Sequence, residues 1–186
     1  MKTATSEPRF CRRSFLIASA QLAAGALLGS VPSLSAAVPA TNHQLCFYHT
    51  HTGETLRVDF NPADCSARTV RKINRFLRDH RTGEVFPIDL RLLEMLCHIQ
   101  KAGRSNGTIE VISGYRSPKT NALLRQKSSG VASKSLHLQG QAIDIRLTDL
   151  KTRKLRDIAQ SLKSGGVGYY PTSDFVHLDT GRVRSW

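Results

Sequence analysis

The chain predicts an α+β fold: a single compact domain in which an antiparallel sheet is flanked by helices. Three observations predict it. Short runs that alternate apolar and polar residues recur between Leu45 and Asp179, and stretches with helical apolar spacing fall between them. The 186 residues, 40% of them hydrophobic, suffice for one core of ordinary size and argue against a second large domain. No internal repeat or low-complexity tract breaks the pattern.

Residues 1–37 stand outside that fold. Arg9, Arg12 and Arg13 form a basic head, Phe15 to Val31 an apolar run, and Ser35, Ala36 and Ala37 a small-residue cleavage site, so this segment predicts export. Arg12-Arg13 followed by Ser14-Phe15-Leu16 resembles the twin-arginine signal, with Cys11 where that signal usually has Ser or Thr. An ordinary secretory signal is the alternative, and both lead to the periplasm or outside. The apolar run is short and ends at Pro32, which argues against a permanent span once the signal is cleaved.

Residues 38–186 form the predicted domain. Leu45 to Thr50 and Thr55 to Phe60 read as strands joined at Thr52-Gly53-Glu54. Ser66 to His80 carries Val70, Ile73, Phe76 and Leu77 on one helical face, with Ser66 as N-cap and Thr82-Gly83 as its end. Asp89 to Ala102 repeats the pattern with Gly103 as a stop. Thr108 to Ser113 is a strand, Gly114 to Pro118 a turn, and Lys119 to Lys127 a helix. Gln141 to Leu147 alternates as a strand, and Leu150 to Leu162 is amphipathic. Val167 to Tyr170 and Asp174 to Asp179 complete the sheet around Pro171-Thr172-Ser173.

Charge narrows the partners. The net charge is +13, and because residues 1–37 hold Lys2, Arg9, Arg12 and Arg13 against Glu7, the remainder keeps +10. A basic exported surface suits carboxylate-bearing wall peptides better than nucleic acid, which is least accessible there and would call for aromatic residues among the cations. Export also leaves Cys46, Cys65 and Cys97, an odd number in an oxidising compartment. Cys97 lies in an apolar helical run, so Cys46 with Cys65 is the expected disulfide.

Chemistry concentrates in Ser135-Leu136-His137-Leu138-Gln139-Gly140-Gln141-Ala142-Ile143-Asp144 and Asp174-Phe175-Val176-His177-Leu178-Asp179. Two imidazoles and a carboxylate are the ligand set of an open zinc site. Strand alternation turns Asp144 away from Ile143 and Ile145, and puts Phe175, His177 and Asp179 on one face, so pairing the two strands would gather His137, Asp144 and His177 in a sheet-edge cleft. Tyr115 and Tyr170 are either cleft walls or core. His43, His49, His51, His80 and His98 have no partner at ligand spacing.

These strings, with Ser113-Gly114-Tyr115-Arg116-Ser117 and Gly165-Gly166-Val167-Gly168-Tyr169-Tyr170, resemble the D-alanyl-D-alanine carboxypeptidase and VanX group of zinc peptidases, which shares its fold with the zinc domain of hedgehog proteins. The likeness is greatest to the small exported branch of murein (peptidoglycan L,D-) endopeptidases and runs over nearly all of residues 38–186. The resemblance implies one Zn2+ per chain on His137, Asp144 and His177. It further implies hydrolysis of crosslinks between peptidoglycan stem peptides by a periplasmic monomer, with the bond between two meso-diaminopimelate residues favoured and the D-alanyl crosslink a second target. Arg116 would stabilise the oxyanion. The family's acidic base maps onto Asp174, three residues before His177, whereas strand alternation favours Asp179 for that face. A carboxypeptidase that trims stem ends, and a wall-binding module without turnover, are the other readings.

Overall fold

Alternation and helix capping account for the elements of the computed structural model, which describes residues 43–128 and 130–186. The export segment, Cys11 and Ser129 lie outside the described residues. Strand β1 (His43–His49) buries Leu45, Phe47 and His49, and β2 (Thr55–Phe60) buries Val58 and Phe60 against them. Helix α1 (Ala67–Phe76) starts where the Ser66 hydroxyl accepts from the Thr69 amide at 3.2 Å and buries Ile73 and Phe76.

Helix α1 stops at Phe76, four residues short of His80, because Asp79 captures the backbone beyond it. The Asp79 carboxylate accepts from the amides of Arg81 (2.8 Å), Thr82 (3.3 Å) and Ser117 (2.8 Å), which favours a turn over a further helical bond. Helix α2 (Arg91–Gly103) buries Leu92, Leu93, Met95, Leu96, Cys97 and Ile99. Its left-handed terminal residue is Arg104 (φ 50°), one beyond the expected glycine. Gly103 serves packing instead: a Cβ there would lie 3.2 Å from Ile158 and 3.4 Å from Leu150.

Strand β3 (Ile109–Ser113) leads into α3 (Pro118–Lys127), capped by Ser117, and a 3-10 turn covers Leu136–Gln139. Strand β4 (Ala142–Leu147), α4 (Thr152–Leu162), β5 (Gly166–Tyr170), β6 (Phe175–Asp179) and β7 (Arg184–Ser185) complete the chain. The sheet order is β2-β1-β3-β4-β6-β5-β7. It is mixed, correcting the antiparallel expectation: β1 runs parallel to β3, with β2, α1 and α2 between them in the chain, and β5 runs parallel to β7, with the antiparallel β6 between them. Pairing of β5 and β7 beyond β6 also places β4 and β6 inside the sheet, so their side chains meet in its middle and not at an edge.

Ile143, Ile145, Val167, Val176 and Leu178 join Leu155, Ile158 and the α2 residues in one core. The alternate positions Asp144, His177 and Asp179 therefore emerge on the other face. The expected Cys46–Cys65 disulfide is absent: Cys46, Cys65 and Cys97 are all free. Cys65 packs against the core, whereas Cys46 lies between inward-facing Leu45 and Phe47 on β1 and so points the other way. Burial pushes the Cys97 thiol up to about 12, which leaves it protonated and inert. No helix among the described residues is long and apolar enough to cross a membrane.

Candidate metal centre

Register brings the expected ligands together. Asp144 on β4 pairs directly with His177 on β6, and the 3-10 turn before β4 delivers His137. Gly140 ends that turn at φ 63°, where a Cβ would collide with the Pro87 carbonyl, so glycine is needed for both conformation and clearance. His137 Nε2, Asp144 Oδ1 and His177 Nδ1 converge, with separations of 3.2 Å between the imidazoles, 2.8 Å from His177 to Asp144 and 3.3 Å from His137 to Asp144. All three residues are buried, and they are the one such group able to hold a metal ion among the described residues.

The nitrogens that face away from this point are each tied down. His137 Nδ1 donates to the Gly114 carbonyl at 2.7 Å, which leaves Nε2 as a lone-pair donor toward the centre. His177 Nε2 donates to Asp179 Oδ2 at 3.1 Å, which leaves Nδ1 free in the same sense. Asp179 is wholly buried and clamped by Arg184 through contacts of 3.0 and 2.7 Å, and it also accepts from the amides of Gly166 and Gly181. Such a donor set fits zinc: two imidazoles, each with its outer nitrogen anchored, and one carboxylate, with the outer partners already in place.

Electrostatics follow the same geometry. Burial alone would raise the Asp144 carboxyl, but the charge and hydrogen bonds of His137 and His177 outweigh it and hold Asp144 well below the ordinary carboxylate range. Burial would lower His177, yet hydrogen bonds to Asp144 and Asp179 raise it to about 9. Arg116, mostly buried, reaches the cleft with Nη2 3.7 Å from Asp144 Oδ2, and its Nε has no partner. The block from Ser113 to Ser117 thus contributes the Gly114 carbonyl under His137, the Arg116 cation, and the Ser117 cap of α3. A bulge between Val111 and Ser113, where β3 meets β4 beside Asp144, lets this segment turn over the site.

The cleft holds about 440 Å³, and its walls include Arg116, Lys134, Tyr170, Phe175, Arg184 and Trp186. Two expectations change here. Asp174 does not enter this cleft: it sits in a left-handed turn at φ 50°, its side chain is 61% exposed, and it accepts from Thr152 Oγ1 at 2.8 Å in a separate cavity beside Arg146. Aspartate tolerates that conformation, so the chain turns at Asp174 and β6 begins after it. Asp179 shares the face of His177, as alternation predicts, but its oxygens are already engaged behind the imidazole. Tyr170 lines the cleft, whereas Tyr115 is buried and stacked on Phe86 at 4.8 Å. Sequence reasoning missed Asp79, Arg184 and Trp186.

Comparisons with known proteins agree with this architecture. The family model described as Peptidoglycan L,D-endopeptidase MepK matches residues 37–186. A probable peptidoglycan L,D-endopeptidase MepK of Haemophilus influenzae is 45% identical over 144 residues, 76% of this chain and 77% of that protein. The peptidoglycan L,D-endopeptidase MepK of Escherichia coli K12 is 37% identical over 175 residues, 94% of this chain and 96% of that protein. No solved structure matches the chain. Since the match spans every strand and helix that builds the cleft, the chain belongs to the peptidoglycan L,D-endopeptidase MepK family.

Proposed function

We propose that this protein is a zinc-dependent endopeptidase that opens peptide crosslinks of peptidoglycan in the periplasm, reached through the twin-arginine-like segment at residues 1–37. One observation carries the reading: three donor atoms converge between 2.8 and 3.3 Å while both outward imidazole nitrogens are fixed by other acceptors, in a chain of this family. His137, Asp144 and His177 would hold one Zn2+. When bound, zinc supplies Lewis-acid polarisation of the scissile carbonyl and acidification of water.

The chain's own residues do the rest. Arg116, aimed into the cleft with an unpartnered Nε, is the cation for the developing oxyanion. Gly114 and Asp179 keep the two imidazoles oriented, and Arg184 holds Asp179 in place. Lys134 and Arg184 on the rim attract the carboxylates of stem peptides. The L,D-endopeptidase activity for which the relatives are named favours the crosslink between two meso-diaminopimelate residues.

Incubating residues 38–186 with purified crosslinked muropeptides, with and without a chelator, tests this. Conversion of dimers to monomers that stops on chelation and returns with Zn2+ is the expected result. Release of a terminal residue would convert the reading to a carboxypeptidase, and binding without product would convert it to a wall-binding module.

A further inference from the structure

Trp186 is the only tryptophan of the chain, and it stands beside the candidate metal ligands. Its indole lies 5.3 Å from the His177 ring at an angle of 48°, and the Arg184 guanidinium lies 4.9 Å over its face. Its amide donates to the Val167 carbonyl, and its carbonyl accepts from Tyr169, which fixes the backbone against β5. Space for the ring comes from Gly168, the register partner of His177: a Cβ there would come within 2.7 Å of the indole. Tyr170, two residues on and facing the same way, stacks on Phe175 at 4.5 Å.

Held by all these contacts, Trp186 is nevertheless 51% exposed. With Arg184 over one face, an anchored aromatic ring that still leaves about half its surface open beside a polar centre has the form of a ligand platform, apolar with few directed polar groups. A polar group stands beside the ring. Indole N–H only donates, so in the 3.0 Å contact between Trp186 Nε1 and the Tyr170 hydroxyl the oxygen accepts, and the tyrosine's own proton remains available to another acceptor.

We infer that Trp186 and Tyr170 form the substrate-recognising wall of the cleft. Trp186 offers its face to the methylene arm of a stem-peptide residue, and Tyr170 donates its hydroxyl proton to a carbonyl or carboxylate oxygen of the same peptide. The inference rests on the peptidoglycan reading above. It adds a specificity function to residues that neither ligate the metal nor clamp its ligands.

Because no other tryptophan contributes, intrinsic fluorescence of the wild-type protein reports on this wall directly. Titration with crosslinked muropeptide dimer in chelator, where no turnover occurs, should give a saturable change in emission. By calorimetry under the same conditions, Trp186→Ala should bind the dimer at least tenfold more weakly, Trp186→Phe within about threefold of wild type, and Tyr170→Phe several-fold more weakly. Circular dichroism and Zn2+ stoichiometry of each variant separate lost recognition from lost folding. Gly168→Ala, which displaces the indole while keeping it, should weaken binding as Trp186→Ala does. Wild-type affinity in folded Trp186→Ala, or emission unmoved by saturating dimer, would overturn the inference. Binding without turnover in the zinc-loaded protein would sink the endopeptidase reading and leave this wall standing. Turnover with an indifferent Trp186 would do the reverse.

Discussion

Two groups of three side chains rich in histidine occupy this domain, and they are built differently. In the cleft, each of His137 and His177 spends its outer nitrogen on an acceptor, so the inner nitrogens face Asp144 within 3.3 Å. At the far end of β1, His51 stacks flat on His80 at 4.3 Å, and buried His49 packs edge-on against His80 with its Nε2 unpartnered. Glu54 and Asp79 act on His49 and His80 through their charges, but among the described residues no carboxylate converges with these three rings as a possible metal ligand set. Histidine clustering alone therefore says little about metal binding; what distinguishes a centre is that outer partners fix the tautomers and a carboxylate closes the set.

Removing an outer partner should erode that distinction most. Asp179→Asn keeps shape but removes the negative charge, and with the amide oxygen held by the Gly166 and Gly181 amides it turns an NH2 toward His177, so Zn2+ affinity measured by competition with a chelating dye should fall about 10–100-fold, with turnover at saturating Zn2+ recovering in part. An unchanged affinity would mean that Asp179 is only an anchor for Arg184.

The second group should respond to acid. Burial lowers His80 to about 4, assisted by the charges of Arg81, His51 and His49, and burial followed by the charge of His51 lowers His49. Between the ordinary value of 6.5 and that lowered value the unfolded chain takes up protons that the folded chain refuses, so stability is full above pH 6.5 and is lost as pH falls toward 4. The His80 ring is only partly buried and so is screened, and about 1 kcal/mol is expected there, seen as a drop in Tm between pH 7 and 4.5 that His80→Asn reduces. A drop of equal size in His80→Asn would place the acid sensitivity elsewhere.

The smallest effect is expected at Asp174. Its carboxylate lies outside the cleft, so Asp174→Asn should leave turnover of muropeptide dimers within about twofold, as for an ordinary surface substitution. A loss of a hundredfold or more with Zn2+ retained would restore it as the proton acceptor.

Much of the centre is legible in the sequence because alternation in a strand has a strict period of two. That rule turns Asp144, His177 and Asp179 to one face and Ile143, Val176 and Leu178 to the other, and the structure pairs Asp144 with His177. Alternation also keeps Asp174 off the face of His177; what it does not reveal is the left-handed residue there, which makes the strand begin one position late. Arg184 and Trp186 stay hidden because their partners lie across the sheet on β5 and β6, and nothing local announces that a two-residue strand will dock there parallel. Asp79 is hidden for another reason: a helical pattern runs on through Leu77, and only the three amides it collects show why the helix stops. The mixed sheet order escapes strand-by-strand reading altogether, since it depends on which strands become neighbours after long connections.

The pairing of β4 with β6 also governs when the centre can come into being. Asp144 and His177 lie 33 residues apart, with α4 and β5 between them, so loop-closure entropy is spent before the two ligands meet. His137 and Asp144 are present together much earlier in the chain, yet a half-built pair offers an ion only two donors. An ion held by the proposed ligands would thereby be captured only by a nearly finished sheet, and it would act as a late latch that rewards completed assembly and penalises any chain whose last strands have not docked.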